Sequence, residues 1–261
     1  MTLSRLRQLV VLAAFLPAAA AAQQGTVNYT VTSKLEVELP PEFAHMQDQM
    51  PSETTAERIL LFNEMATLTV SPPSEEDSVT DPSEMMESGG QQIVVRVRGT
   101  EGDDQTYVNL ETGEVIEKRE FLGRTFRIQD EATPLAWRLT GEQSEFLGYA
   151  SQKAVAEQDS TTYEAWFTSE IPVSAGPESY GGLPGLILVL TVGNRTFEAT
   201  SVDLNPLAED AIAAPSDGRE VTSEEFAEIV EERMRDMETS TFTTESGATG
   251  TRSFRVIRRG N

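Results

Sequence analysis

Cysteine is absent from this 261-residue sequence, and histidine occurs once, at position 45. The first absence excludes disulfides and any thiolate nucleophile. Together the two leave too few ligands for a zinc site. A Ser-His-Asp triad would have to be built on His45, and no Gly-x-Ser-x-Gly elbow accompanies it. Lysine is scarce as well: Lys34, Lys118 and Lys153 are the only three, and 20 basic side chains face 43 acidic ones for a formal charge of −23. That balance disfavours nucleic acid and anionic membrane surfaces as partners. An acid-rich, lysine-poor surface suits high salt, which screens self-repulsion, and equally suits an acidic exported protein from a GC-rich genome. Long apolar runs are missing too. Leu183 to Val192 is ten residues, half of what a membrane-spanning helix needs.

What is present begins with a targeting pattern. Arg5 and Arg7, the apolar stretch Leu9 to Leu16 and the small residues Ala18 to Ala22 have the layout of a secretory signal peptide over 1–22, cleaved before Gln23. The expected compartment is periplasmic or extracellular, with no transmembrane anchor in the mature chain.

From Gln23 onward the pattern is that of strands. Val27, Tyr29, Val31, Leu35, Val37 and Leu39 share one face of a period-two segment that Pro40-Pro41 ends. Further strands are expected at 58–62, 66–70, 93–97, 106–110, 115–121, 125–128, 137–139, 145–149, 152–156, 162–167, 186–192 and 196–202, with turn signals such as Glu101-Gly-Asp-Asp104, Gly123, Gly141 and Gly193-Asn194 between them. Residues 71–90 contain six acids, three prolines and no base and read as a mobile loop. Thr222 and Glu225 form a capping box ahead of an apolar stripe, Phe226, Ile229, Val230, Met234 and Met237, which predicts a helix over 222–238. Residues 239–261 read as a flexible linker and basic tail. The expected architecture is mainly β: a single antiparallel meander over 23–238, for which a curved half-barrel is one form, with one C-terminal helix packed on the sheet.

The stretch Tyr180-Gly-Gly-Leu-Pro-Gly-Leu-Ile-Leu-Val-Leu190 lacks the Lys and hydroxyl of a phosphate loop. It reads as a turn entering a buried strand: Pro184-Gly185 as a type II pair, Gly181 and Gly182 as a second bend or close approach, and Leu186 to Leu190 apolar on both faces. The C-terminal helix is the expected cover on one of those faces.

Ala165-Trp-Phe-Thr-Ser-Glu-Ile-Pro-Val-Ser-Ala-Gly-Pro177 followed by Gly182-Leu-Pro-Gly-Leu-Ile187 resembles the GLPGLI family, exported bacterial proteins of unestablished function found mainly in Bacteroidota. Phe146-Leu-Gly-Tyr-Ala-Ser-Gln-Lys-Ala154 resembles that family's Gly-Tyr-x-Cys-x-Lys-Ala segment, with Ser151 in place of the cysteine. Val221-Thr-Ser-Glu-Glu-Phe226 resembles its closing helix. The resemblance implies residues 181–187 as a structural motif and implies no activity.

Candidate chemistry is thin. His45 with Met46 and Met50 offers soft ligands of the Cu(I) kind, against a plain loop. Glu101-Gly-Asp-Asp104 lacks the ordered spacing of a calcium loop. No catalytic residue, metal site or cofactor is assigned. The aromatics Trp137, Tyr149, Trp166 and Tyr180 are candidates for a ligand groove on a concave sheet face, against the alternative that they are core packing. Three readings follow: a non-enzymatic binder of a lipid or hydrophobic peptide, an interaction module of an envelope complex working through strand edges, and a carboxylate-based hydrolase.

Overall fold

The computed structural model describes residues 23–35, 52–72 and 104–239, with the two short pieces 87–88 and 91–92. The targeting pattern of 1–22, the His45 loop, most of the acidic stretch 71–90, the strand expected at 93–97 and the tail 240–261 lie outside the described residues.

The described residues form one open sheet of twelve strands with a single helix near the C-terminus. The strands are β1 (Gly25–Lys34), β2 (Glu53–Phe62), β3 (Ala66–Val70), β6 (Gln105–Asn109), β7 (Glu114–Phe121), β8 (Arg124–Glu131), β9 (Arg138–Phe146), β10 (Tyr149–Gln158), β11 (Thr161–Thr168), β12 (Leu186–Val192), β13 (Arg195–Asp203) and β14 (Arg219–Thr222). β4 (Glu87–Ser88) and β5 (Gln91–Gln92) pair separately. Spatial order is β14-β8-β7-β6-β3-β2-β1-β13-β12-β11-β10-β9. Every neighbouring pair is antiparallel except β14 with β8.

A short connection forces this sheet to curl. β8 and β9 lie ten strand spacings apart, which is about 48 Å in a flat sheet. The chain from Glu131 to Arg138 can span at most about 25 Å. The half-barrel form therefore follows from loop length, and β9 and β14 remain as the two edges.

Most of the buried apolar side chains belong to one cluster on β1, β2 and β10 to β13, including Val27, Tyr29, Leu60, Phe167, Leu188 and Phe197. β1 alternates as its pattern predicts, with Val27, Tyr29 and Val31 buried. Its pairing with β13 slips once, where Thr200 is the extra residue between Ser201, opposite Asn28, and Ala199, opposite Tyr29. Each fully buried Leu or Ile of β12 contributes roughly 1.5–3 kcal/mol relative to exposure.

Three expectations are corrected. The segments read as two strands around Gly141 are one strand, β9, because Gly141 (φ 84°) is accommodated as an irregularity in the pairing with β10. A parallel strand, β14, sits on the edge of β8. The helix α1 (Ser223–Thr239) does not cover β12. It packs at the opposite end of the sheet, where Phe226 meets Phe126 edge-on at 5.3 Å and Phe121 at 6.3 Å beside Ile128 and Val221. Its capping box is formed: Glu225 N–H donates to Thr222 Oγ1 at 3.2 Å and Thr222 N–H to Glu225 Oε2 at 3.0 Å.

The cover over β12 is instead the segment between β11 and β12, residues 169–185. Ile171, Val173, Ala175 and Leu183 are buried in the main cluster. Leu186 N–H donates to Ile171 O at 3.0 Å and Ile187 N–H to Ala175 O at 2.9 Å, so the segment folds back on the strand it precedes. Among the described residues no helix is long and apolar enough to cross a membrane.

Candidate functional site

Between the two apolar clusters the inner face of the sheet turns polar. Thr67 and Thr69 on β3 and Thr106 on β6 are buried. Thr69 stands opposite Thr106, and Thr106 opposite Glu117 on β7, so all three share a face. Over this strip lies a cleft of about 660 Å³, bounded by Val108, Val115 and Ile128 on the sheet, by the 132–135 connection, and by Tyr163 and residues 174–182 opposite. Its size is ordinary for a ligand site.

Glu178 holds the far wall in place. Its backbone N–H donates to Thr69 Oγ1 at 3.0 Å. Its carboxylate accepts two hydrogen bonds from Arg195, Nη2 at 2.7 Å and Nη1 at 3.3 Å. The guanidinium of Arg195 lies 4.7 Å over the ring of Phe197, within cation–π range. The residue adopts φ 54°, a left-handed conformation uncommon outside glycine, asparagine and aspartate, and these tethers oppose its relaxation. On the sheet side Arg119 bonds Glu117 at 2.9 Å and Asp104 at 3.5 Å. Burial opposes the charge on Arg119, but Glu117, Glu178 and Asp104 outweigh it and raise its pKa.

Tyr180 completes the wall. Its ring lies 6.1 Å from Tyr163 and 6.3 Å from Phe197, tilted to both. Burial, reinforced by the negative charge of Glu178, pushes its phenol up to about 12, with Arg195 pulling the other way. The hydroxyl is thus a neutral donor at any ordinary pH.

Of the four aromatic candidates, Tyr180 lines the cleft. Trp137 backs it, with Nε1 donating to Gly181 O at 2.9 Å. Tyr149 packs against the main cluster. Trp166 alternates with buried Ala165 and Phe167 and stands on the other face of β11. There it meets Phe146 at 5.4 Å and Lys153 at 6.0 Å. The structure therefore brings two of the four together. It adds Tyr163, Glu117, Glu178 and Arg195, none of which carries a local sequence signal.

The motif at 181–187 builds the back of the wall. Gly182 takes φ 83° under Trp137. The type II pair expected at Pro184-Gly185 does not form, since Gly185 is not left-handed. Gly185 N–H instead donates to Leu183 O at 2.8 Å, a three-residue turn centred on Pro184. Glycine is required at 185 because a Cβ there would lie 2.0 Å from Thr168 O. Leu183, Leu186 and Ile187 are buried. Ser151 is also buried and donates to Tyr149 O at 3.1 Å.

Residues 138–189, which include this motif, match the family described as "Protein of unknown function (Porph_ging)". No curated protein matches the chain. Among solved structures, PNGF-II in P21 and C2 space groups is similar, at TM-scores of 0.51 and 0.50 and 18% identity, over 80% of this chain and 33% of that one. At this identity the likeness is one of fold, and this chain spans about a third of the length of PNGF-II.

Proposed function

We propose that this protein is an exported, non-enzymatic binding protein of the cell envelope that holds a hydrophobic or amphipathic ligand, a peptide or a lipid, in the concave cleft. The observation that carries this reading is the cleft itself: about 660 Å³, lined by Tyr163 and Tyr180 together with Val108, Val115, Ile128 and Leu135. Export is supported by the basic, apolar and small-residue succession at 1–22. Native mass spectrometry of the mature protein from its own host, in high salt, tests it. A reproducible adduct that leaves on denaturation and is lost in the Tyr180→Ala variant is the expected result. A bare protein mass at every salt concentration, for wild type, counts against it.

A second reading, an interaction module working by strand addition, is favoured by β9. This edge strand has nine residues, nearly all of them exposed, and an exposed edge of that length is a template for pairing. Replacing Gln143 by Pro blocks the edge without touching the cleft. Loss of co-purifying partners in that variant, with adduct binding intact, would move the assignment to this reading.

A further inference from the structure

The charge lining the cleft is of one sign. Glu111, Glu117, Asp130, Glu131 and Glu178 contribute to its wall, and among the described residues that line it there is no Lys, Arg or His. Glu117 and Glu178 are engaged from behind by Arg119 and Arg195. Glu111, Asp130 and Glu131 sit exposed on the β6–β7 turn and at the end of β8. An uncharged lipid covering these carboxylates would desolvate them without return. An anionic head group would meet repulsion from the rim and from a chain of net charge −23. A guanidinium or ammonium would be compensated by the carboxylates and received by the faces of Tyr163 and Tyr180. On that wall Ser174, Ser179 and the main chain at Gly176, Gly181 and Gly182 border the cleft, a surface of hydroxyl and peptide groups that suits a peptide backbone.

We infer that the cleft takes an extended peptide segment in which basic side chains alternate with apolar ones. This rests on the cleft being a binding site and names what it selects. Apolar side chains meet Val108, Val115 and Ile128, while the basic ones reach the rim.

The test is calorimetric titration of the full chain with three peptides of equal length, alternating Leu with Arg, Gln or Glu. The Arg peptide is expected to bind, the Glu peptide not, and the Gln peptide at least tenfold more weakly. Glu111→Gln with Glu131→Gln is expected to weaken the Arg peptide about three- to tenfold, and raising salt to weaken it further. Glu198→Gln with Glu209→Gln, two exposed acids outside the cleft, is expected to leave it unchanged. Equal losses in the two double variants would mean attraction by net charge alone and would overturn the inference. If the Gln peptide or an uncharged detergent binds as well as the Arg peptide, and Tyr180→Ala abolishes this, the cationic preference falls while the cleft survives as a binding site. If nothing binds, both fall.

Discussion

Glu178 and Arg195 meet through two hydrogen bonds, 2.7 and 3.3 Å, that join the segment before β12 to the start of β13. The carboxylate is 14% exposed and the guanidinium 33%, so the pair is shielded more than a surface ion pair. Removing one partner should cost more than surface pairs do. Glu178→Ala is expected to destabilise by about 1–3 kcal/mol, because Arg195 and Arg119 lose a compensating charge. Arg195→Ala should cost a similar amount, and the double variant less than the sum. Urea denaturation of all four proteins measures the coupling. Strict additivity would show that the fork does not hold the wall.

The two glycines of the motif should differ in cost for different reasons. Gly185→Ala places a Cβ against the backbone of Thr168, which cannot swing aside as a side chain does, and an expected loss of about 2–4 kcal/mol reflects backbone displacement. Gly182→Ala meets nothing closer than 3.7 Å and bears only its left-handed φ, about 1 kcal/mol. Thermal melts should rank 185 below 182, and the reverse order would contradict this packing.

Two hairpin tips carry leucine where the turn favours asparagine. Glu120-Phe-Leu-Gly123 and Glu145-Phe-Leu-Gly148 each place Leu at positive φ, 53° at Leu122 and 54° at Leu147, followed by a left-handed Gly. Both central residues positive is the type I′ pattern, which prefers Asn-Gly. Leu122 and Leu147 are 59% and 47% exposed, so little packing is lost on replacement. Leu122→Asn and Leu147→Asn should each stabilise by about 0.5–1 kcal/mol. A fall in Tm would mean that these leucines make contacts the structure does not show.

Alkaline stability should report Tyr180. Its phenol is raised to about 12 in the folded protein, against about 10 in an unfolded chain. Above pH 10 the unfolded state releases this proton first, so the Tyr180 contribution is full below pH 10 and is lost as pH rises towards 12. Subtracting the stability curve of Tyr180→Phe from that of wild type should reveal a difference that declines by up to about 2–3 kcal/mol across that window. A flat difference would place Tyr180 in an open, solvated setting.

Which elements were legible follows from how local their causes are. β3 and β12 occupy the residues that their apolar patterns indicated, 66–70 and 186–192. The helix begins within a residue of its capping box. β14 was not legible, because four residues paired parallel to β8 have no periodicity of their own. The same holds for the cleft: Glu117, Glu178 and Arg195 are ordinary charged residues until a fold sets them beside a tyrosine pair.

The amino-acid sequence by itself determined the strand-rich character, the helix that follows its capping box, the lack of any thiol and the buried strand at 186–190. Each of these depends on residue type or on spacing within a few positions. Only the tertiary structure decided that the helix caps β8 and β14 instead of β12, that 169–185 folds over the sheet, and that a polar strip separates two apolar clusters. Those outcomes depend on the curl that a short β8–β9 connection imposes on twelve strands, and on contacts between residues more than a hundred positions apart, such as Thr69 with Glu178.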